Sequence, residues 1–121
     1  MTDEITLTIP REPGFDRVAH LVLSGLAVRM NLTIENLEDL QIALDTLLDR
    51  NDGGGDVTVR MSLRDDHLET RVGPIERRVL DELERESGAE FGLRRVLDST
   101  VDDVLVDGDW VQLVKKVRVV G

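Results

Sequence analysis

The chain contains no cysteine. That rules out a disulfide scaffold, a thiolate metal site and a cysteine nucleophile, and it suits a reducing cytoplasm. Tyrosine is also absent, and Phe15, Phe91 and Trp110 are the only aromatics. The core must therefore be built from Val, Leu and Ile, and there is no aromatic platform on which bases could stack. Basic residues are scarce: 15 Lys and Arg stand against 25 Asp and Glu, a formal charge of −10. Such a balance serves solubility. It also repels phosphate backbones and anionic lipid, which argues against nucleic acid or a membrane surface and for a protein partner, a basic one fitting best. No apolar run approaches the ~20 residues that cross a bilayer. The opening MTDEITLTIP is too acidic and too polar to be a secretory signal.

At 121 residues the chain has the length of a single domain. A domain of that size buries enough surface to fold without staples. Its organising stretch is 33–51, TIENLEDLQIALDTLLDRN. Leu37, Leu40, Ala43, Leu44, Leu47 and Leu48 recur every three or four residues, which predicts one amphipathic helix. Thr33 is suited to the N-cap. The Asn51-Asp52-Gly53-Gly54-Gly55 run supplies the stop.

Before this helix, Ile5, Leu7 and Ile9 alternate with threonines and read as a half-buried strand. Residues 15–30 read as a first helix, with Phe15, Val18, Ala19, Val22, Leu26 and Met30 facing the core. Leu21, Leu23 and Val28 widen that face toward further core or toward a second chain. After it, alternation over 57–72 around Asp65-Asp66 predicts a β-hairpin. A polar helix over 74–87 follows, with Pro74 near its first turn and a narrow stripe of Ile75, Val79, Leu80 and Leu83. A short helix over 92–100 turns Leu93, Val96 and Leu97 inward. A second hairpin joins 104–106 to 110–120 through Asp107-Gly108-Asp109. The order β, α, α, β, β, α, α, β, β predicts an α+β class. The expected sheet is mixed, mostly antiparallel, of about five strands, with helices 15–30, 33–50 and 91–100 on one face and helix 74–87 outside.

Taken together in this order, EPGFDRVAHLVLSGLA, EDLQIALD, DVTVRMSLRDDHLE, GLRRVLDSTVDDV and DGDWVQLVKKV resemble the anti-sigma-factor serine kinases, small bacterial members of the histidine-kinase-like ATPase fold. The resemblance runs through nearly the whole chain. It implies a protein that holds a sigma factor away from RNA polymerase and uses Mg-ATP to phosphorylate a serine on an antagonist. It also implies a homodimer, since members commonly pair.

The motifs that carry this chemistry in the family are altered here. Its long helix reads A-V-x-E-A-x-x-N, the Glu acting as base and the Asn helping to hold magnesium. The corresponding residues are Ala43-Leu44-Asp45-Thr46-Leu47-Leu48-Asp49-Arg50. Thr46 takes the place of the base, and a hydroxyl cannot serve as one near neutral pH. Arg50 takes the place of the Asn, and it has no lone pair for a cation. Asp45 and Asn51 are the alternatives, each one position and ~100° around the helix away. The family's D-x-G-x-G corresponds to Arg71-Val72-Gly73-Pro74-Ile75, of which Gly73 survives. Its G-x-G-L corresponds to Glu90-Phe91-Gly92-Leu93, of which Gly92 survives. The charged helix 74–87 stands where the family's nucleotide-covering loop would be.

The resemblance therefore implies the family fold with a degenerate nucleotide site. The expected function is a regulatory, protein-binding one in transcription, with no cofactor and no catalytic residue. A divergent Mg-ATP-dependent serine kinase using Asp45 and Asn51 is the alternative, and a structural dimerisation module is a third. Sporulation-type members contact their partners through an arginine after a Phe-x step at the start of the first helix. Phe15-Asp16-Arg17 matches that pattern and marks Phe15 and Arg17 as partner-binding candidates, Arg17 as a carboxylate-binding fork.

Other features are plainer. Gly53-Gly54-Gly55 lacks the Lys-Ser/Thr of a P-loop and reads as a turn. His20 and His67 lack zinc-ligand spacing. Asp65, Asp66 and His67 read as a solvated turn and not as a cation site. Ser24, Ser62, Ser87 and Ser99 have no G-x-S-x-G setting. Asp102, Asp103, Asp107 and Asp109 read as solvated, and Trp110 as packing.

Overall fold

The computed structural model describes residues 3–10, 14, 16–29, 32–51, 55–64, 66–85 and 92–116. Its elements run β1 (Asp3–Ile9), α1 (Asp16–Arg29), α2 (Ile34–Arg50), β2 (Val57–Arg64), β3 (His67–Gly73), α3 (Arg77–Arg85), α4 (Leu93–Thr100), β4 (Asp103–Asp107) and β5 (Trp110–Lys116). This is the expected α+β order.

Helix α2 forms where its apolar period predicts. Thr33 accepts from the Asn36 backbone N–H at 3.1 Å, satisfying a first-turn donor. At the other end the Asn51 N–H reaches the Leu47 carbonyl at 3.1 Å. Leu40, Ala43, Leu44, Leu47 and Leu48 are all buried, and Leu37 packs beside them. Full burial stabilises each leucine by roughly 1.5–3 kcal/mol, so this face is the main apolar anchor of the helical layer.

Among the described residues the sheet has five strands in the order β1-β2-β3-β5-β4. Every described pairing is antiparallel, so the parallel component implied by a mixed sheet is not found there. The connections give the reason. β2–β3 and β4–β5 are hairpins, and Gly108 at φ 63° makes the second turn possible. β1 and β2 are joined through two helices in place of the single crossover helix that returns a chain parallel. Val57, Val59, Met61, Leu68, Val72, Val104, Val111 and Leu113 turn one face of this sheet into the core with α2, α4 and the rest of the helical layer. Lys115 ties the layers together: its Nζ, on a side chain 14% exposed, donates to Asp39 Oδ2 and to the Thr100 carbonyl, both at 2.9 Å.

Two expectations are corrected. Among the described side chains of α1, Ala19 and Leu23 are buried and Val22 is half-buried, whereas Val18, Leu21 and Val28 are exposed. The core-facing arc is therefore rotated from the expected one, because α1 packs mainly on α2 and β1 and leaves Leu21 and Val28 uncovered. Helix α3 begins at Arg77, not at Pro74. The segment before it is held by other partners: the Ile75 N–H donates to the Asp109 carbonyl at 2.7 Å. The predicted placements of Phe15, Met30, Phe91 and the Leu26 side chain lie outside the described residues, as do Gly53, Gly54, Asp65, Ser87 and the strand beyond Lys116.

These placements separate two leucines of similar sequence context. Leu47→Ala is expected to lower unfolding free energy by about 2–5 kcal/mol. Leu21→Ala should change it by less than about 0.5 kcal/mol. Urea denaturation followed by circular dichroism measures both.

Candidate functional site

The last turn of α2 meets the segment 73–85, and this junction holds most of the sequence-identified positions. Thr46 turns its hydroxyl back onto its own helix, donating to the Ile42 carbonyl at 2.7 Å. Arg50 donates from its guanidinium to Glu82 Oε1 of α3 at 2.6 Å. Both partners of that pair are partly exposed, which limits its contribution to ~0–1 kcal/mol. Arg78 of α3 donates to the Arg50 carbonyl at 2.8 Å and so satisfies an acceptor left open at the end of α2.

Asn51 carries more. It is only 5% exposed. Its Oδ1 accepts from the Glu76 N–H at 2.8 Å, and its Nδ2 donates to the Pro74 carbonyl at 3.3 Å. One amide thus bridges both peptide groups that lead into α3, and a buried amide without partners would be costly. From there Ile75, Val79, Leu80 and Leu83 are buried at 4% exposure or less, and α3 also packs on α4.

The alternative base, Asp45, lies on a different side of α2. Its Oδ1 is in short contact with His20 Nε2 of α1, both side chains being partly exposed. Asp45 is thus engaged by α1, and Asn51 by the segment leading into α3. The oxygen of Asn51 that would meet a cation already accepts a backbone hydrogen bond. Among the described residues, no group of three His, Cys, Asp or Glu side chains is gathered as a metal site.

The two surviving glycines differ in what they do. A Cβ on Gly73 would lie 2.5 Å from the Trp110 ring, so the close approach of the indole requires glycine there. Gly92 is the N-cap of α4 at φ −73° and ψ 158°, a backbone that any residue adopts, and its carbonyl accepts from Val96 N–H at 3.1 Å. Arg17 is exposed in the first turn of α1, distant in sequence and element from the α2–α3 junction. Phe15 lies outside the described residues.

Sequence reasoning singled out Asn51 as a possible ligand and missed its bridging role. It also missed Glu82 and the Ile75–Asp109 bond. These partners are 25, 32 and 34 positions apart, and no local pattern links them.

The bridge makes a stability claim. Asn51→Ala strands the Glu76 N–H and the Pro74 carbonyl and should cost about 1–3 kcal/mol, with amide hydrogen exchange accelerating in α3 before the rest of the fold. Gly73→Ala should cost about 1–3 kcal/mol through overpacking against Trp110, read from urea melts.

No protein-family model matches the chain. Similar curated proteins do exist. The chain is 34% identical over 79 residues to the serine-protein kinase RsbW of Listeria monocytogenes serotype 4a (strain HCC23), covering 60% of this chain and 50% of that one. It is 32% identical over 77 residues to the RsbW of Bacillus subtilis (strain 168), covering 58% and 48%. A longer match, 26% identical over 129 aligned positions, is to the RsbW of Oceanobacillus iheyensis, covering 89% of this chain and 81% of that one. The chain spans about half the length of the first two of these relatives. Several relatives of one kind, with an α+β fold built in the expected order, give one conclusion: the chain is related to the anti-sigma-factor serine kinases.

Proposed function

We propose that this chain is a regulatory protein-binding unit of the anti-sigma type, acting by occupancy in the cytoplasm, without ATP binding or phosphoryl transfer. The observation that carries this reading is the engagement of the α2–α3 junction with itself. Asn51 holds Pro74 and Glu76, Arg50 pairs with Glu82, and Val79, Leu80 and Leu83 are packed at 2% exposure or less. A helix seated by buried leucines does not move aside cheaply, since burial of each is worth roughly 1.5–3 kcal/mol. Thr46 and Arg50 offer a hydroxyl and a cation where a base and a metal ligand would be needed.

A partner surface is carried by α1. Arg17, Leu21, Gly25 and Val28 follow one another at helical spacing and are exposed, Leu21 at 72% and Val28 at 81%. An apolar stripe headed by an arginine fits a protein surface that offers apolar groups and a carboxylate. The partner we assign to it is a sigma factor or an anti-sigma antagonist. The same uncovered stripe also favours a second reading, a homodimer through α1.

Titration calorimetry with ATP and ADP, with and without Mg²⁺, should give no heat at millimolar nucleotide on the folded protein. Magnesium-dependent micromolar binding would overturn the proposal in favour of a kinase using Asp45 and Asn51. Arg17→Glu should weaken capture of a sigma factor or antagonist by about tenfold or more while leaving the urea midpoint unchanged. Leu21→Asp should do the same, and sedimentation of that variant against the parent separates partner binding from self-association.

A further inference from the structure

The face of the sheet turned away from the helices carries a second arrangement. Cross-strand register brings Thr6, Arg60, Arg71, Gln112 and Leu105 into one row across all five strands. Arg60 and Arg71 stand directly opposite each other. Like charges so placed repel, and they do so in a chain with ten more acids than bases. Beside them Trp110, half-buried, lies against Gly73. Arg60, Arg71 and Trp110 line a cavity of about 230 Å³.

The two cations have weak partners. Arg60 Nε is 3.9 Å from Glu4 Oε1. Arg71 donates to Asp107 Oδ2 at 3.3 Å, and the Asp107 side chain is 79% exposed. Such long or exposed pairs hold weakly and are readily exchanged for a better acceptor. The Arg71 Nε–H is buried with no acceptor among the described residues. The guanidinium carbon stands 5.8 Å from the Trp110 ring centroid, which is within cation–π range and orients the group beside the indole.

We propose that Arg60, Arg71 and Trp110 form a binding pocket for a single oxyanion group, a carboxylate or a phosphate. The donor set decides the class: guanidinium forks match these oxygens bidentately, and the indole offers an apolar wall to whatever carries the anion. The volume sets the size. Pockets for whole small-molecule ligands are roughly 300–1,000 Å³, so this one takes one anionic group and its immediate attachment, not a nucleotide. It lies on the face of the sheet turned away from α1 and is thus separate from the α1 partner surface proposed above.

Trp110 is the only tryptophan, so its emission reports on the pocket. The full chain is titrated with sodium acetate and with inorganic phosphate, against sodium chloride at matched ionic strength. A saturable change with acetate, phosphate or both, absent with chloride, is expected, and the anion that saturates at the lower concentration identifies the source. Arg71→Gln and Arg71→Lys should each weaken that response about tenfold or more, the second because it keeps the charge and loses the fork. Arg95→Gln, on the exposed side of α4, should leave it unchanged. The lysine variant, with unchanged circular dichroism, keeps the test valid if the glutamine variant fails to fold. No saturable change beyond chloride overturns the proposal. So does a response that survives intact in Arg71→Lys.

Discussion

Asn51 ends α2 with its amide turned into the fold, and both faces of that amide are occupied. Oδ1 takes the Glu76 N–H, and Nδ2 reaches the Pro74 carbonyl. The residue is 5% exposed, so these bonds form where water does not compete. Much of the architecture follows from this contact. It fixes how the chain leaves β3, and with the Ile75–Asp109 bond it ties that exit to the β4–β5 turn. It also sets the point from which α3 runs onto α4, with Val79, Leu80 and Leu83 inside the common core. The neighbouring Arg50–Glu82 pair is more exposed and contributes less, so it guides α3 without holding it.

This junction bears directly on chemistry. A nucleotide-hydrolysing or phosphoryl-transferring site needs acceptor oxygens free to meet a metal and donors free to meet phosphate. At the end of α2 those groups are engaged within the chain: a hydroxyl on its own helix, a guanidinium on Glu82, an amide on two backbone groups. Asp45, more than a turn earlier in α2, faces His20 of α1, and Asp49 is exposed. The relationship to serine-protein kinases thus sits beside a local arrangement that serves packing. Our reading of the chain as a binding unit takes both as its support.

The sheet divides the molecule's exposed surfaces by charge and polarity. On the helical side, α1 presents Val18, Leu21 and Val28 without cover. On the far side, paired arginines meet the single tryptophan over a small cavity. The two surfaces differ in what they can recognise. The first offers apolar area with a marginal charge, the second a concentrated donor set with little apolar area.

The element order, the N-cap Thr33, the buried face of α2 and both hairpins follow from periods of 3.6 and 2, from one capping hydroxyl and from turn glycine, all local signals. The altered residues at Thr46, Arg50 and Gly73-Pro74 were equally visible, because a motif is read along the chain. The inward arc of α1 was not, since its leucines and valines surround the helix and the elements it packs on, chiefly α2 and β1, choose which are covered. The start of α3 was not either: Pro74 is compatible with a first turn, and distant partners on Asn51 and Asp109 hold the segment out of the helix. Sequence by itself determined which residues could be chemical and which faces were apolar. Tertiary structure decided which of those groups were left free, because hydrogen-bond partners 25 and 34 residues away are brought within 3 Å only when the layers close.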